Sequence, residues 1–239
     1  MKIHRLIVAL GVLTAGLLQA EPTQGIVLPF KQVSIASPVL QEIISGMFVE
    51  EGTEVKEGQV LVQLRNDREK LDVELSEKLI VLKRFIAEGQ EKLFKEKMGS
   101  EEKAREATTE LEIAELTMSA KRVTLEEKTI KAPLSGVVVK KYKEAGEAVD
   151  RAEKLMDIMN YDQVYAQFYV KPELRKSLTN GDKSKVRVLD LDNVEFDGKI
   201  DFIDPRNEAA SGLLRIKVLV DNKDHRIKPG MKITAEFGK

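Results

Sequence analysis

The chain has 239 residues and a net charge of −1, with charged residues making up 33% of the whole. So even a balance of acid and base argues against the strongly basic footprint of a nucleic-acid binder. Cysteine and tryptophan are absent and only His4 and His225 represent histidine, which excludes disulfides, thiol catalysis, thiolate metal sites and a His-rich metal centre.

Lys2, His4 and Arg5 precede an apolar run from Leu6 to Leu18, and Gln19-Ala20 stands before Glu21. This pattern predicts an export signal over residues 1–20. The run is shorter than the roughly 20 apolar residues of a membrane-spanning helix. Ile26–Leu28 and Val33–Ile35 read as strands separated by Pro29. Further strands are expected at Ile43-Ile44, Met47–Val49 and Val60–Leu64, with turns at Glu50–Thr53 and Glu57-Gly58.

The charged stretch from Asn66 to Lys128 reads as two antiparallel helices. In the first, Leu75, Leu79, Leu82, Ile86, Gly89 and Leu93 recur at alternating spacings of four and three, a heptad seam. Asn66 or Asp67 is the expected N-cap. Met98-Gly99-Ser100 interrupts the pattern, with Gly99 suited to a left-handed helix end. Ser100 is suited to capping the second helix, whose positive N-terminus Glu101-Glu102 would favour. Ala104, Ala107, Leu111, Ala114, Met118 and Leu125 continue the seam. At about 30 residues per helix, the pair forms a rod of roughly 45 Å. Aspartate in place of Leu82 or Leu111 is expected to bury a charge in the seam.

The segments flanking this stretch repeat each other. Gly52, Val55, Leu61 and Leu64 return at constant offset as Gly146, Val149, Leu155 and Ile158, and Ser37-Pro38 answers Ala132-Pro133. One supersecondary unit used twice is expected, its halves burying each other's apolar faces in a flattened β sandwich. Asn160–Asp162 then reads as a linker. Beyond it come a strand at Val164–Val170, a short helix over Lys171–Leu178 closed by Asn180-Gly181, and strands at Lys185–Leu189, Val194–Phe202, Leu213–Val220 and Lys232–Phe237. Turns are expected at Asp197-Gly198, Ser211-Gly212 and Pro229-Gly230, and the whole suggests a small β barrel.

Chemistry-bearing residues are few. Asp201, Asp204 and Glu208 read as solvated or capping carboxylates, and His225, between Asp224 and Arg226, as a surface histidine. Met47, Met98, Met118, Met156, Met159 and Met231 are scattered through strands and seam, where core packing is the better account than a metal site. No catalytic, cofactor-binding or metal-ligating residue is assigned, and the chain is expected not to be an enzyme.

In this order, the parts resemble those of the periplasmic adaptor subunits, or membrane fusion proteins, of bacterial tripartite efflux and secretion systems. Carrying residues are Lys131–Val138, Gly146–Val149, Gly198–Ile200 through Ile203–Pro205, Asp221-Asn222 and Arg226–Met231. The resemblance implies a mostly β fold with a long α-helical hairpin. A split lipoyl-like domain (26–65 and 129–160) would flank the hairpin (66–128), with a C-terminal β barrel at 161–239. It implies a non-catalytic periplasmic adaptor joining an inner-membrane transporter, of the resistance-nodulation-division type, to an outer-membrane channel. Attachment to the inner membrane and assembly as a ring, typically of six copies, come with it. The hairpin tip, Lys97, Met98, Gly99, Ser100 and Glu101, is the expected partner contact. Two departures stand out: little chain is left at either end for the membrane-proximal domain found in many relatives, and the hairpin lacks their Arg-x3-Leu-x6-Ser pattern. Alternative readings on the same fold are an adaptor of an ABC-type exporter and a stand-alone binding module or metal chaperone.

Overall fold

The computed structural model describes residues 22–237, so the export signal expected at 1–20 lies outside the described residues. Twelve strands and two long helices run in the order β1 (Thr23–Ala36), β2 (Glu42–Met47), β3 (Glu54–Val55), β4 (Val60–Leu64), α1 (Asp67–Lys95), α2 (Glu101–Glu126), β5 (Thr129–Lys131), β6 (Gly136–Lys141), β7 (Ala148–Val149), β8 (Lys154–Val170), β9 (Lys183–Val188), β10 (Val194–Asn207), β11 (Leu214–Asp221) and β12 (Lys232–Ala235). They divide into two compact units, Pro29–Asp162 and the residues from Gln163 onward together with those up to Leu28.

In the first unit the two sequence halves trade strands. The short β3 pairs with β6, Glu54 opposite Val137, and the short β7 pairs with β2, Ala148 opposite Ile43. The hydrogen bonds around the repeated glycines are reciprocal. Gly52 N–H donates to Val138 O at 2.8 Å and Val138 N–H to Thr53 O at 3.0 Å; Gly146 N–H donates to Ile44 O at 2.8 Å and Ile44 N–H to Glu147 O at 2.9 Å. Gly52 (φ 86°) and Gly146 (φ 94°) both lie in the left-handed region, where a side chain would be strained. Every apolar residue of the repeat is sealed: Val55, Leu61, Leu64, Val149, Leu155 and Ile158 are at most 3% exposed and share one core cluster. Neither half could bury these faces alone, since burial of each Leu or Ile side chain is worth about 1.5–3 kcal/mol only when a partner covers it.

One carboxylate is sealed at the same unit's edge. Asp157 accepts from Ser34 Oγ at 2.6 Å and Tyr142 Oη at 2.7 Å. Burial pushes its carboxyl up, but those two hydrogen bonds and the charges of Lys154 and Lys140 outweigh it and hold the group below its ordinary range.

The second unit is an antiparallel sheet in the order β1-β12-β9-β10-β11-β8. Leu214, Ile216, Val218 and Val220 of β11 face inward at alternate positions, as do Val164, Ala166, Phe168 and Val170 of the β8 strand paired with it, the period of two that strand geometry demands. Phe168 packs edge-on against Phe237 at 5.1 Å.

Several local expectations are corrected. Pro29 does not split two strands; β1 runs through it. It lies beyond the last β12 partner of β1, so its missing N–H forfeits no bond to that strand. Asn160–Asp162 is not a linker but part of β8. There Asn160 Nδ2 donates to Ser135 O at 2.8 Å, a partner for its polar side chain within the strand. Asp197-Gly198 is not a turn: both sit within β10, where a Cβ on Gly198 would lie 2.6 Å from Val218 Cγ1. Close packing, not chain reversal, accounts for that glycine. The reversal lies instead at Asp192-Asn193, both left-handed (φ 51° and 62°), as Asp and Asn tolerate. The short helix is a single 3-10 turn, Pro172–Lys176.

Candidate interaction site on the helical hairpin

The hairpin leaves and re-enters the first unit through neighbouring strands. β4 and β5 pair with Val62 opposite Ile130 and Gln63 opposite Thr129. Just past α2, Lys128 is turned inward. Its ammonium lies 2.6 Å from Glu42 on β2 and 3.1 Å from Glu69 in the first turn of α1, with 7% of the lysine side chain exposed. Arg65 Nε adds a contact to Glu42 at 3.4 Å. Burial works against both charges, yet bonding prevails. The Lys128 ammonium is held above its ordinary range by its hydrogen bonds to Glu42 and Glu69. The Glu42 carboxyl is held below its own by Lys128, the Ile43 amide and the Arg65 charge. This clamp ties both helix roots to the sheet.

Between root and tip the helices meet mainly through small side chains, with Ile80 the large apolar exception. The buried residues are Ser76, Ile80 and Ala87 on α1 and Ala104, Ala107 and Ala114 on α2. Four ion pairs stitch the flanks: Asp72–Lys121 at 3.2 Å, Glu77–Arg122 at 3.0 Å, Lys83–Glu110 at 2.6 Å and Arg84–Glu115 at 3.0 Å. All are about half-exposed, and pairs at the surface are worth only about 0.2–1 kcal/mol each.

The seam expected on α2 is the one used: Ala104, Ala107 and Ala114 are buried, and Leu111, Met118 and Leu125 half-buried. The seam expected on α1 is not. Leu75 is 71% exposed, Leu82 53%, and Leu79, Ile86 and Leu93 are exposed as well. The contact runs one residue further on, through Ser76, Ile80, Lys83 and Ala87. Alanines on α2 draw the backbones close, which favours small side chains opposite them and leaves the leucines outside. An aspartate at position 82 would therefore enter solvent rather than the seam. At the helix start, Asn66 is the N-cap by position but its side chain makes no capping bond.

The five tip residues are brought together in one tight reversal. α1 closes with Met98 N–H on Leu93 O at 2.8 Å and Lys97 N–H on Phe94 O at 2.9 Å, the paired bonds of a Schellman motif. Its left-handed position is Lys97 (φ 59°), not Gly99. Gly99 instead lies against the helix end, where a Cβ would come 3.1 Å from Leu93 Cβ. Ser100 caps α2 as expected, accepting from Lys103 N–H at 3.3 Å, with Glu101 and Glu102 in the first turn. Met98 is 68% exposed.

The three carboxylates singled out in the sequence have separate structural partners: Asp201 accepts from Tyr165, Asp204 from Arg206 and Arg215, and Glu208 from Ser211. Among the described residues no cluster of acidic or histidine side chains could hold a metal ion. Nor is any described helix long and apolar enough to cross a membrane.

Residues 163–239 match the CusB-like β-barrel domain. Along most of its length the chain is similar to periplasmic linkers of efflux pumps. It is 25% identical to the efflux pump periplasmic linker BepD of Brucella suis, over 87% of this chain and 60% of the relative. It is 22% identical to the cation efflux system protein CzcB of an Alcaligenes strain, over 84% of this chain and 42% of the relative. The chain thus spans about half the length of the curated relatives it matches. Among solved structures, a MacA–MexA chimera carrying the Pseudomonas aeruginosa MexA α-hairpin domain superposes with a TM-score of 0.80 at 16% identity, over 90% of this chain and 79% of the other. The membrane fusion protein Spr0693 of Streptococcus pneumoniae superposes with a TM-score of 0.73 at 14% identity, over 91% and 98%.

Proposed function

We propose that this chain is the periplasmic adaptor of a tripartite efflux system of the resistance-nodulation-division type, joining an inner-membrane transporter to an outer-membrane channel. It performs no chemistry. In this reading residues 26–65 and 129–160 form a split lipoyl-like domain, 66–128 the projecting hairpin and 161–239 a β barrel, and residues 1–20 direct export to the periplasm. The copies stand in a ring, six being the number typical of the proteins it resembles, possible only if each presents the same faces to its neighbours.

The observation that carries the reading is the exchange of β3 and β7 between the two repeat halves on either side of the inserted hairpin. A carrier domain would join such halves by a tight lysine-bearing turn; here the join is two helices of 29 and 26 residues. Lys97 and Met98 at the tip, with Gly99, Ser100 and Glu101, are assigned to contact with the channel. The test is complementation. The chain is expressed beside its neighbouring transporter gene in an efflux-deficient host, and cargo accumulation is followed. Wild type restores efflux; a variant with residues 79–85 and 111–117 excised shortens the rod and abolishes it while the β units stay folded. Full efflux by that variant rules the adaptor role out.

A further inference from the structure

The tip of the hairpin carries a side chain that the fold does not use. Met98 is 68% exposed, although its backbone is fixed: its N–H donates to Leu93 O at 2.8 Å and so closes α1. In a Schellman ending this is the residue whose side chain commonly packs back on the helix it closes. Here the backbone makes its bond and the thioether is left in solvent. Leu93 and Phe94, in the last turn of α1, are 39% and 41% exposed. The thioether thus belongs to an apolar tip set among Lys95, Glu96, Lys97 and Glu101.

The other methionines are placed differently. Among the described residues Met156 is fully buried, and Met47, Met118, Met159 and Met231 are half-buried. Met231 Sδ in addition accepts from Lys228 N–H at 3.3 Å. The chain has no cysteine, so no thiol of its own competes for an oxidant. A thioether reacts with peroxide through a transition state that spreads charge over the two oxygens, and water around the sulfur stabilises that charge. Exposure therefore ranks these sulfurs, and Met98 stands first.

We propose that Met98 is a site of oxidative modification by hydroperoxides, and that its oxidation disables the tip for partner contact. The sulfur lone pair attacks one peroxide oxygen and the O–O bond breaks. With hydrogen peroxide, the departing hydroxide takes the proton of the transferred oxygen and leaves as water. The thioether is oxidised to a sulfoxide and the peroxide is reduced. The product replaces a flexible apolar end with a polar S=O group. Buried in a partner's groove without a donor, that group costs free energy that the thioether does not. The hairpin itself keeps its shape, because the bonds to Leu93 O and Phe94 O that close α1 do not involve the sulfur. Oxidation must precede engagement, since a docked tip shields the sulfur. The chemistry stands on exposure alone; its effect on efflux rests on the tip contact proposed above.

Two measurements test the two halves separately. Purified full-length protein is titrated with hydrogen peroxide and mapped by peptide mass spectrometry. Met98 is expected to gain an oxygen first, at least about tenfold faster than Met156 and ahead of every half-buried methionine, with helicity by circular dichroism unchanged. Met98 oxidised no faster than the half-buried methionines overturns the proposal. In the complementation host, the chain is induced during a brief exposure to hydrogen peroxide, so that its tip meets the oxidant while free. Efflux with peroxide is then divided by efflux without it for each variant. The ratio is expected to fall at least about threefold for wild type and to stay near one for Met98→Leu, whatever that variant's untreated level. Without oxidant, Met98→Gln, which puts a polar amide in place of the thioether, is expected at least about threefold below Met98→Leu. An equal fall in wild type and Met98→Leu, or a wild type whose Met98 is oxidised in cells with no loss of efflux, overturns the proposal. A wild type that gives no efflux even untreated instead defeats the adaptor reading, and with it the effect on partner contact, while the order of oxidation in the purified protein still decides the modification site.

Discussion

The β framework of residues 29–162 and the hairpin set into it solve burial in opposite ways. The framework hides its large side chains, Leu61, Leu64, Leu155 and Ile158, completely. The hairpin hides mainly alanines, a serine and Ile80, and shows most of the leucines of α1 to solvent. One is a finished core; the other is stable enough to project but is shaped for company. A helix pair joined by small residues and exposed ion pairs gains little by itself, and most helical stability comes from packing an apolar face.

The contrast can be broken most forcefully in the core. Leu61→Ala and its repeat partner Leu155→Ala should each cost about 2–5 kcal/mol by denaturant unfolding, whereas Leu82→Ala should stay within about 0.5 kcal/mol in the dissociated monomer. Equal losses at 61 and 82 would erase the distinction. Next comes the clamp at the root. Lys128→Met strips Glu42 and Glu69 of their shared cation and should cost roughly 1.5–3 kcal/mol. The sign with pH follows from the depressed Glu42 carboxyl. Its contribution is present above the ordinary 4.5 and lost as pH falls through the lower folded value. The variant should therefore lose less stability on acidification than wild type does, as read in parallel melts. Within the hairpin, Ile80→Ala should speed amide exchange along both helices at a cost of about 2 kcal/mol, and Leu79→Ala beside it should change exchange hardly at all. The smallest effect belongs to the tip: Lys97→Gly relieves the left-handed residue and should gain about 0.5–1 kcal/mol of hairpin stability.

What could be read from the sequence follows the same divide. The repeat was legible because its markers have single meanings: Gly52 and Gly146 sit where φ is positive, and the apolar positions at fixed distance from them are core. The α2 seam was legible because its alanines alternate with charge. In α1 two seams coexist, and a reading that ranks residues by size takes the leucines, although Ser76 and Ala87 are what close approach to α2 requires. The tip shows the same ambiguity. A glycine beside a helix end usually supplies the left-handed residue, but here Lys97 takes that conformation while Gly99 makes room for Leu93. Gly198 likewise resembles a turn in Asp-Gly and serves as clearance under Val218. Local residue type reports that something special is needed at a position; which need it meets depends on neighbours distant in sequence.

The pairing of β4 with β5 beneath the helices has one more implication. Because Val62 faces Ile130 across that ladder, the two roots are pinned at a fixed gap whatever lies between them. The rod is in effect a cassette plugged into a socket. Whole heptads can be added to or removed from both helices at matching heights, changing reach by about 10 Å per step, without the socket registering any difference. Reach is thereby a quantity that evolution or an engineer can dial independently of folding.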